Sequence, residues 1–412
     1  MAPLAPALHF ITKSLAALSA LQSGFENATI TNVRRNLLQV ANASWERGTA
    51  AQGLLELDWP ALTVFHNNSI PPPSKLNATS QPTEVLKIVN ETLAFKKSDS
   101  LALVDGDGSA ADPASLGVSF LLANWTRTNL SYTAYSDAAG KQLDYLLNHV
   151  SRSDSGAISH RADETQLWAD FMYMVPPFIA YYGALQGKNG ADLLQIAYTQ
   201  SSLYRDALRD ENGLWRHVTL GSWQDNTHWA TGNAWAAAGM YRVLQTIEHS
   251  SVAKNFTSHR SNLTDWVQEI ISSAWRYQAE DGALLNVIDN STSFVDTSAT
   301  ALLASVTYRM AIYTNDTTYV ENAEKALALV KDNVDEEGWL QQTVDPYTFS
   351  TPSKAGSHSP EGQAFVLMLH AAWRDYAAHI RGNSTEGNGD GDQTGQNSDI
   401  VGRSFCQLRQ RN

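Results

Sequence analysis

The chain has 412 residues but a single cysteine, Cys406, so neither an intrachain disulfide nor a cysteine-based metal site can form. No apolar run approaches the ~20 residues that a bilayer-spanning helix needs, and no membrane association is expected. Basic residues are also few: 29 Lys and Arg stand against 42 Asp and Glu, a formal net charge of −13. That balance lacks the basic footprint of a nucleic-acid binder. It would also repel a long polyanionic polysaccharide, so a short anionic fragment is the better fit among sugars. Strand-like alternation is scarce as well, which leaves helical periodicity as the dominant pattern.

Helices are predicted near 26–52, 53–66, 83–97, 113–126, 133–151, 166–187, 190–210, 229–248, 260–279, 296–312, 317–333 and 360–380, twelve in all. Polar loops rich in Gly, Pro, Asn and Asp join them. The pattern reads as all-α, and twelve helices without long linkers suit a closed double ring of helical hairpins. The expected layout is one domain over 26–381. Residues 1–25 precede it as a weak signal segment or disordered lead, and 382–412 follow it as a disordered, low-complexity tail. A monomer is the expected state.

Asn-x-Ser/Thr occurs twelve times, at Asn27, Asn42, Asn67, Asn77, Asn90, Asn124, Asn129, Asn255, Asn262, Asn290, Asn315 and Asn383. Twelve acceptor sites spread along one chain point to passage through a secretory route and an extracellular protein.

The most unusual stretch runs from His160 to Phe178. A polar lead-in ends at one carboxylate, Asp170, flanked by Trp168, Phe171, Met172, Tyr173 and Met174. An apolar setting is expected to raise the pKa of that carboxyl, as a general acid requires. The alternative is a helix start in which Asp163 caps, Glu164 and Asp170 face water and the aromatics are core. Asp105-Gly106-Asp107-Gly108 has the look of a calcium loop, but the required Gly and terminal Glu are misplaced, and no metal is expected.

Gln166-x-Trp168-x-Asp170-x-x-Tyr173-Met174 with Pro177-Phe178 resembles the signature of the unsaturated rhamnogalacturonyl hydrolases of glycoside hydrolase family 105, related to the unsaturated glucuronyl hydrolases of family 88. Leu214-Trp215-Arg216-His217 and Trp229-Ala230-Thr231-Gly232-Asn233-Ala234-Trp235 resemble further segments of that family. So do Trp45 to Gly48, Val295 to Ala301 and Ser357 to Phe365, the last two with Asp296 or Thr297 as helix cap and a place at the barrel mouth.

The resemblance covers about residues 40–380 and implies an (α/α)6 barrel of six helical hairpins. It implies Asp170 as general acid/base and a second aspartate, for which Asp112 is the match and Asp105 and Asp107 are alternatives. It implies substrate-binding places for His160, Trp168, His217, Asn233, Trp235 and the position of Thr231. The implied activity removes an unsaturated uronic acid from the non-reducing end of an oligosaccharide by hydrating its C4=C5 bond, with no cofactor. One departure stands out. The family's substrate-contacting arginine is Thr231 here, so Arg216, His228 or Lys354 would have to substitute. Two other readings fit that loss: a six-hairpin glycosidase using two carboxylates, or a non-catalytic carbohydrate-binding relative.

Overall fold

The computed structural model describes residues 23–77, 80–106 and 108–386, with side chains as far as Gly382. Asp107, Cys406, most of the expected lead and most of the expected tail lie outside the described residues. By its internal contacts the chain forms two units, Leu21–Ala377 and the ends Met1–Ala20 with Ala378–Asn412. The described part of the second unit is the last turns of the final helix.

The larger unit is built from six hairpins, each an outer helix followed by an inner one. In chain order they are α1 (Asn27–Val40) with α2 (Ser44–Asp58), and α3 (Thr83–Phe95) with α4 (Gly117–Thr126). Next come α5 (Ala134–Asp144) with the short α6 (Phe171–Met174) and α7 (Pro176–Leu185), then α8 (Ala191–Leu208) with α9 (Ala230–His249). The last two pairs are α10 (Thr257–Trp275) with α11 (Thr297–Thr314), and α12 (Val320–Asp332) with α13 (Pro360–Glu386).

The two rings differ in sequence for a physical reason. Outer helices have one wet face: α1 buries Ile30, Val33 and Leu37, and α12 buries Ala323, Ala326, Leu327 and Val330. Inner helices are covered on all sides. Every residue of α9 from Ala230 to Ile247 is buried, and every residue of α11 from Thr297 to Ala311. The first and last inner helices meet and close the ring. The Arg374 guanidinium donates to the carbonyls of Leu57 (2.7 Å) and Glu56 (3.0 Å). Small residues set the closest approaches, as the segment after Trp45 suggests: a Cβ on Gly48 would lie 2.0 Å from Ser115 Oγ.

Three predicted helices are corrected, one of them 53–66: residues 53–58 are the end of α2, and beyond it only the 3-10 turn Pro60–Leu62 forms. The continuous helix over 26–52 breaks at Ala41–Ala43, because the Glu46 carboxylate accepts the N–H groups of Asn42 (2.7 Å) and Ala43 (2.8 Å) and starts a new helix there. The helix over 166–187 begins instead as a strand, β1 (Gln166–Trp168), paired antiparallel with β2 (Val218–Leu220). Asp163 is no helix cap; it is exposed and pairs with Arg161 at 3.2 Å.

Candidate active site

The β1–β2 pair brings the key groups together. Trp168 lies opposite Val218, and the Ala169 N–H donates to the carbonyl of His217 (2.9 Å). Asp170 therefore emerges beside His217, their Oδ2 and Nε2 atoms 3.4 Å apart. That is ion-pairing distance, though neither atom makes an aligned hydrogen bond. After β2 the chain folds back: Val218 and Asp225 exchange backbone bonds, and Asp225 Oδ2 reaches His217 Nδ1 at 3.0 Å. The result is a relay, Asp170–His217–Asp225, with a fully buried imidazole between two carboxylates.

Burial pushes the Asp170 carboxyl up, but the neighbouring His217 imidazole outweighs it, and the net direction is down. The expectation of a raised pKa is thus corrected: the aromatic neighbours are present, but so is a cationic partner that the local sequence does not reveal. Burial pushes His217 down, while Asp170 and Asp225 bring it above the ordinary histidine value. His160 is different. Burial takes it down to about 4 despite the field of Asp170, so it is neutral near pH 7 and His217 carries the effect on Asp170.

Asp170 opens onto a cavity of about 200 Å³ at the mouth of the barrel. Asp112, His160, Arg161, Trp168, Thr231, Trp235, Ser298, Ser359 and Glu361 share its lining. Asp112 lies in the 3-10 turn Asp112–Leu116, its carboxylate 3.5 Å from His160 Nε2, and His160 stacks on Trp168 with ring centres 5.0 Å apart. Asp105 is exposed, bonded by the Ser100 hydroxyl, and is not in the lining.

Other expected residues are placed differently. His217 is buried behind Asp170 and does not line the cavity; its contacts are with the Asp170 and Asp225 carboxylates. Asn233 is a structural clamp: its amide donates to the carbonyls of Trp215 and Trp229, and its oxygen accepts the Trp215 N–H. Trp235 reaches the lining but is only 2% exposed, packed between Tyr173 and Phe365, and offers little face to a sugar. The Thr231 hydroxyl is spent on Asp296 (2.7 Å). Asp296 caps α11 as expected, accepting from Ser298 N and Ala299 N.

None of the three expected substitutes for the missing arginine lines the cavity. Arg216 pairs with Asp210 (3.2 Å), His228 bridges Asp210 and Asp289, and Lys354 lies outside the lining. Among the described residues, Arg161 is the one arginine or lysine in the wall. Glu361 is a further addition. It accepts bonds from Trp45 Nε1 and Ser359 Oγ, and burial, helped by Glu46, pushes its carboxyl up to about 8. Burial and the neighbouring Glu46 thus both favour its protonated form.

A double ring of six helical hairpins is the architecture of the six-hairpin glycosidases. Residues 103–371 match the family model for Glycosyl Hydrolase Family 88, and the chain belongs to that family. It is similar to the unsaturated rhamnogalacturonyl hydrolase YesR of Bacillus subtilis (strain 168), 25% identical over 214 residues. That alignment spans 50% of this chain and 58% of YesR, so little more than half of the relative's length is matched.

Solved structures show the same fold. A possible member of the GH105 family from Salmonella enterica serovar Paratyphi A superposes with a TM-score of 0.67 at 19% identity, covering 85% of this chain and 93% of that one. The unsaturated glucuronyl hydrolase of Bacillus sp. GL1 gives 0.58 at 15% identity, covering 83% and 94%.

Proposed function

We propose that this protein hydrolyses a non-reducing-end unsaturated uronic acid from short, lyase-generated oligosaccharides, with Asp170 as its general acid and base. The observation that carries the reading is the Asp170–His217–Asp225 relay facing a small cavity in a family 88 barrel. The names of the rhamnogalacturonyl hydrolase relative and of the glucuronyl hydrolase neighbour describe related activities.

The proton balance follows from the relay. Before substrate enters, the pair Asp170–His217 holds one proton, mostly on the imidazole. An anionic uronate beside Asp170 adds a like charge and excludes water, and both raise the proton affinity of the carboxyl. The proton then moves from His217 to Asp170. Asp170 delivers it to C4 of the C4=C5 bond, and positive charge builds on C5 and the ring oxygen. Water adds to C5 and gives its proton to the Asp170 carboxylate. The hemiketal so formed opens and releases the aglycone. One carboxyl thus serves in both directions, in place of the usual pair.

A buried uronate carboxylate needs a donor set, and Thr231 cannot supply it. The Arg161 guanidinium, in the cavity wall and paired with the exposed Asp163 at 3.2 Å, fills that role. Asp112 holds a sugar hydroxyl or tunes Asp170 through the field it adds.

The test is loss of the unsaturated-uronate absorbance from lyase digests of pectin, gellan and ulvan. Asp170→Asn should lower kcat by about 10²–10⁴-fold and leave substrate affinity near wild type. Near-normal turnover in that variant would remove Asp170 from the mechanism. A second reading has one observation in its favour: Asp112 and Asp170 line the same cavity, as a two-carboxylate glycosidase would require. Turnover of saturated, uncharged glycosides in preference to the digests would select it.

The protein is further proposed to be a secreted glycoprotein. Of the eleven sequon asparagines with described side chains, nine are exposed, and Asn124 and Asn262 are half-buried. Protein from its natural host should run above 45.1 kDa and shrink on deglycosylation.

A further inference from the structure

Two inner helices start at the cavity wall, and each brings a hydroxyl to it: Thr231 in the first turn of α9 and Ser298 in the first turn of α11. A serine or threonine hydroxyl has one proton to give and two lone pairs to receive with. Where those two protons go decides what this part of the wall can hold.

Both are given to one acid. Thr231 Oγ1 donates to Asp296 Oδ2 (2.7 Å), and Ser298 Oγ donates to Oδ1 of the same carboxylate. Asp296 is wholly buried behind the wall, and its Oδ1 also accepts the N–H groups of Ser298 (3.0 Å) and Ala299 (3.3 Å) as the cap of α11. A backbone N–H can only give, so Oδ1 is fixed as an acceptor. None of these four donors is a cation. Burial pushes the carboxyl above its ordinary value, and the four donors oppose that by favouring the charged form.

With their protons drawn back, Thr231 and Ser298 keep only lone pairs for the cavity. They are 4% and 1% exposed, so the contact suits one small polar group and not a sugar face. The carboxylate behind them polarises both hydroxyls into better acceptors and repels an anion in front of them. Other donors in the wall are spent as well: the indole N–H groups of Trp45, Trp168 and Trp229 go to Glu361, Gln166 and Asn286. A 4,5-unsaturated uronate in glycosidic linkage has one carboxylate, which Arg161 takes, and only two ring hydroxyls, at C2 and C3. The place where an arginine would give protons has thus become one that receives them.

We propose that Thr231 and Ser298, oriented by Asp296, form an acceptor-only contact that reads one free hydroxyl, at C2 or C3 of the terminal uronate, and excludes an anionic substituent there. The substrate is then a singly charged terminal sugar with that hydroxyl unmodified. Asp296 is a positioning residue, because it acts through the two hydroxyls. This rests on the activity proposed above and adds to it which form of the sugar is accepted.

The experiment compares kcat/KM for unsaturated disaccharides that differ only in an O-sulfate, at C2 or at C3 of the uronate. Wild type should prefer the unsulfated form by at least about tenfold at the position that faces the wall, since a lost hydrogen bond and an unpaired anion act together. In Asp296→Asn the amide oxygen must stay on the two backbone N–H groups, which puts the amide nitrogen beside Thr231 and turns the threonine proton toward the cavity. Asparagine caps a helix as well as aspartate does, so the start of α11 is kept. The preference should then fall about tenfold, whereas damage to the fold alone would lower both substrates alike and leave the ratio unmoved. Thr231→Val, close to isosteric, should also cut the ratio, by losing affinity for the unsulfated sugar alone. A wild type that takes sulfated and unsulfated forms equally, or a ratio that neither variant moves, would overturn the assignment. If no unsaturated disaccharide is cleaved, the proposed activity fails and the wall is judged by binding. The same disaccharides are then titrated into wild-type and Thr231→Val protein. A preference for the unsulfated form that shrinks in the variant supports the contact, and its absence rejects it.

Discussion

At the scale of single residues, the position of one proton governs the chemistry. His217 binds its proton more tightly in the fold than in water, because Asp170 and Asp225 flank it. A group raised in this way stabilises the fold fully below its ordinary value, near 6.5 for histidine, and loses that contribution as pH climbs through the raised value. Asp170 draws its proton from the same pair, so turnover should fall over the same alkaline window. His217→Gln should weaken that alkaline limb, shift its midpoint and lower kcat more than it alters KM. A pH–rate profile superimposable on wild type would mean that the imidazole is mere packing. Arg161 is separable by charge: Arg161→Ala should raise KM for uronate substrates by about tenfold or more and leave kcat less affected, since a charge-assisted pair is worth ~1.5–3 kcal/mol. Equal KM values in mutant and wild type would place the carboxylate elsewhere. Much of this site is legible in the chain. Asp170 stands out by its aromatic neighbours, and the threonine at 231 announces a missing cation. Arg161 and Asp225 do not stand out, although Arg161 lies within a stretch that does. Arg161 reads as polar lead-in because nothing local shows that its loop bends over the barrel mouth. Asp225 needs a hairpin reversal to face His217.

At the scale of elements, the catalytic turn is held by backbone contact. A Cβ on Gly239, in the middle of α9, would sit 1.9 Å from the carbonyl oxygen of Met172. The α6 turn that follows Asp170 therefore rests directly on the α9 backbone, with no side chain between. Gly239→Ala should destabilise the protein by about 1–3 kcal/mol through overpacking, despite the better helix propensity of alanine. It should also lower kcat, since the turn that places Asp170 must move. A unchanged urea midpoint and full activity would show that the contact can relax without consequence. Helix periodicity exposes most of the barrel because inner and outer helices differ in how much of their circumference is apolar. It misreads 166–168, where three residues are too few to separate a strand from a helix start. The partner that settles the matter, Val218–Leu220, lies some fifty residues away in sequence.

At the scale of the whole larger unit, the ring is fastened where its first inner helix meets the later ones. Arg309 on α11 reaches Glu56 on α2 at 2.6 Å, both side chains nearly out of water, and Gln52 also donates to Glu56 (2.9 Å). Glu56→Ala leaves that guanidinium with Asp375 alone, at 3.3 Å, and should cost up to about 3 kcal/mol, read as a fall in the thermal or urea midpoint. A Glu56→Leu, Arg309→Met double variant should regain much of the loss, because it leaves no buried charge behind. A single variant as stable as wild type would show that the ring closes by packing alone. The Arg374 bonds to Leu57 and Glu56 carry a consequence in time. They join residues 317 and 318 positions apart, and translation at about 5–20 residues per second needs roughly 15–60 s to cover that interval. Throughout it the first inner helix has left the ribosome while the segment that covers it is unmade. The growing chain must spend that interval with core-forming faces uncovered, which makes it a client for whatever shields nascent apolar surface in the cell.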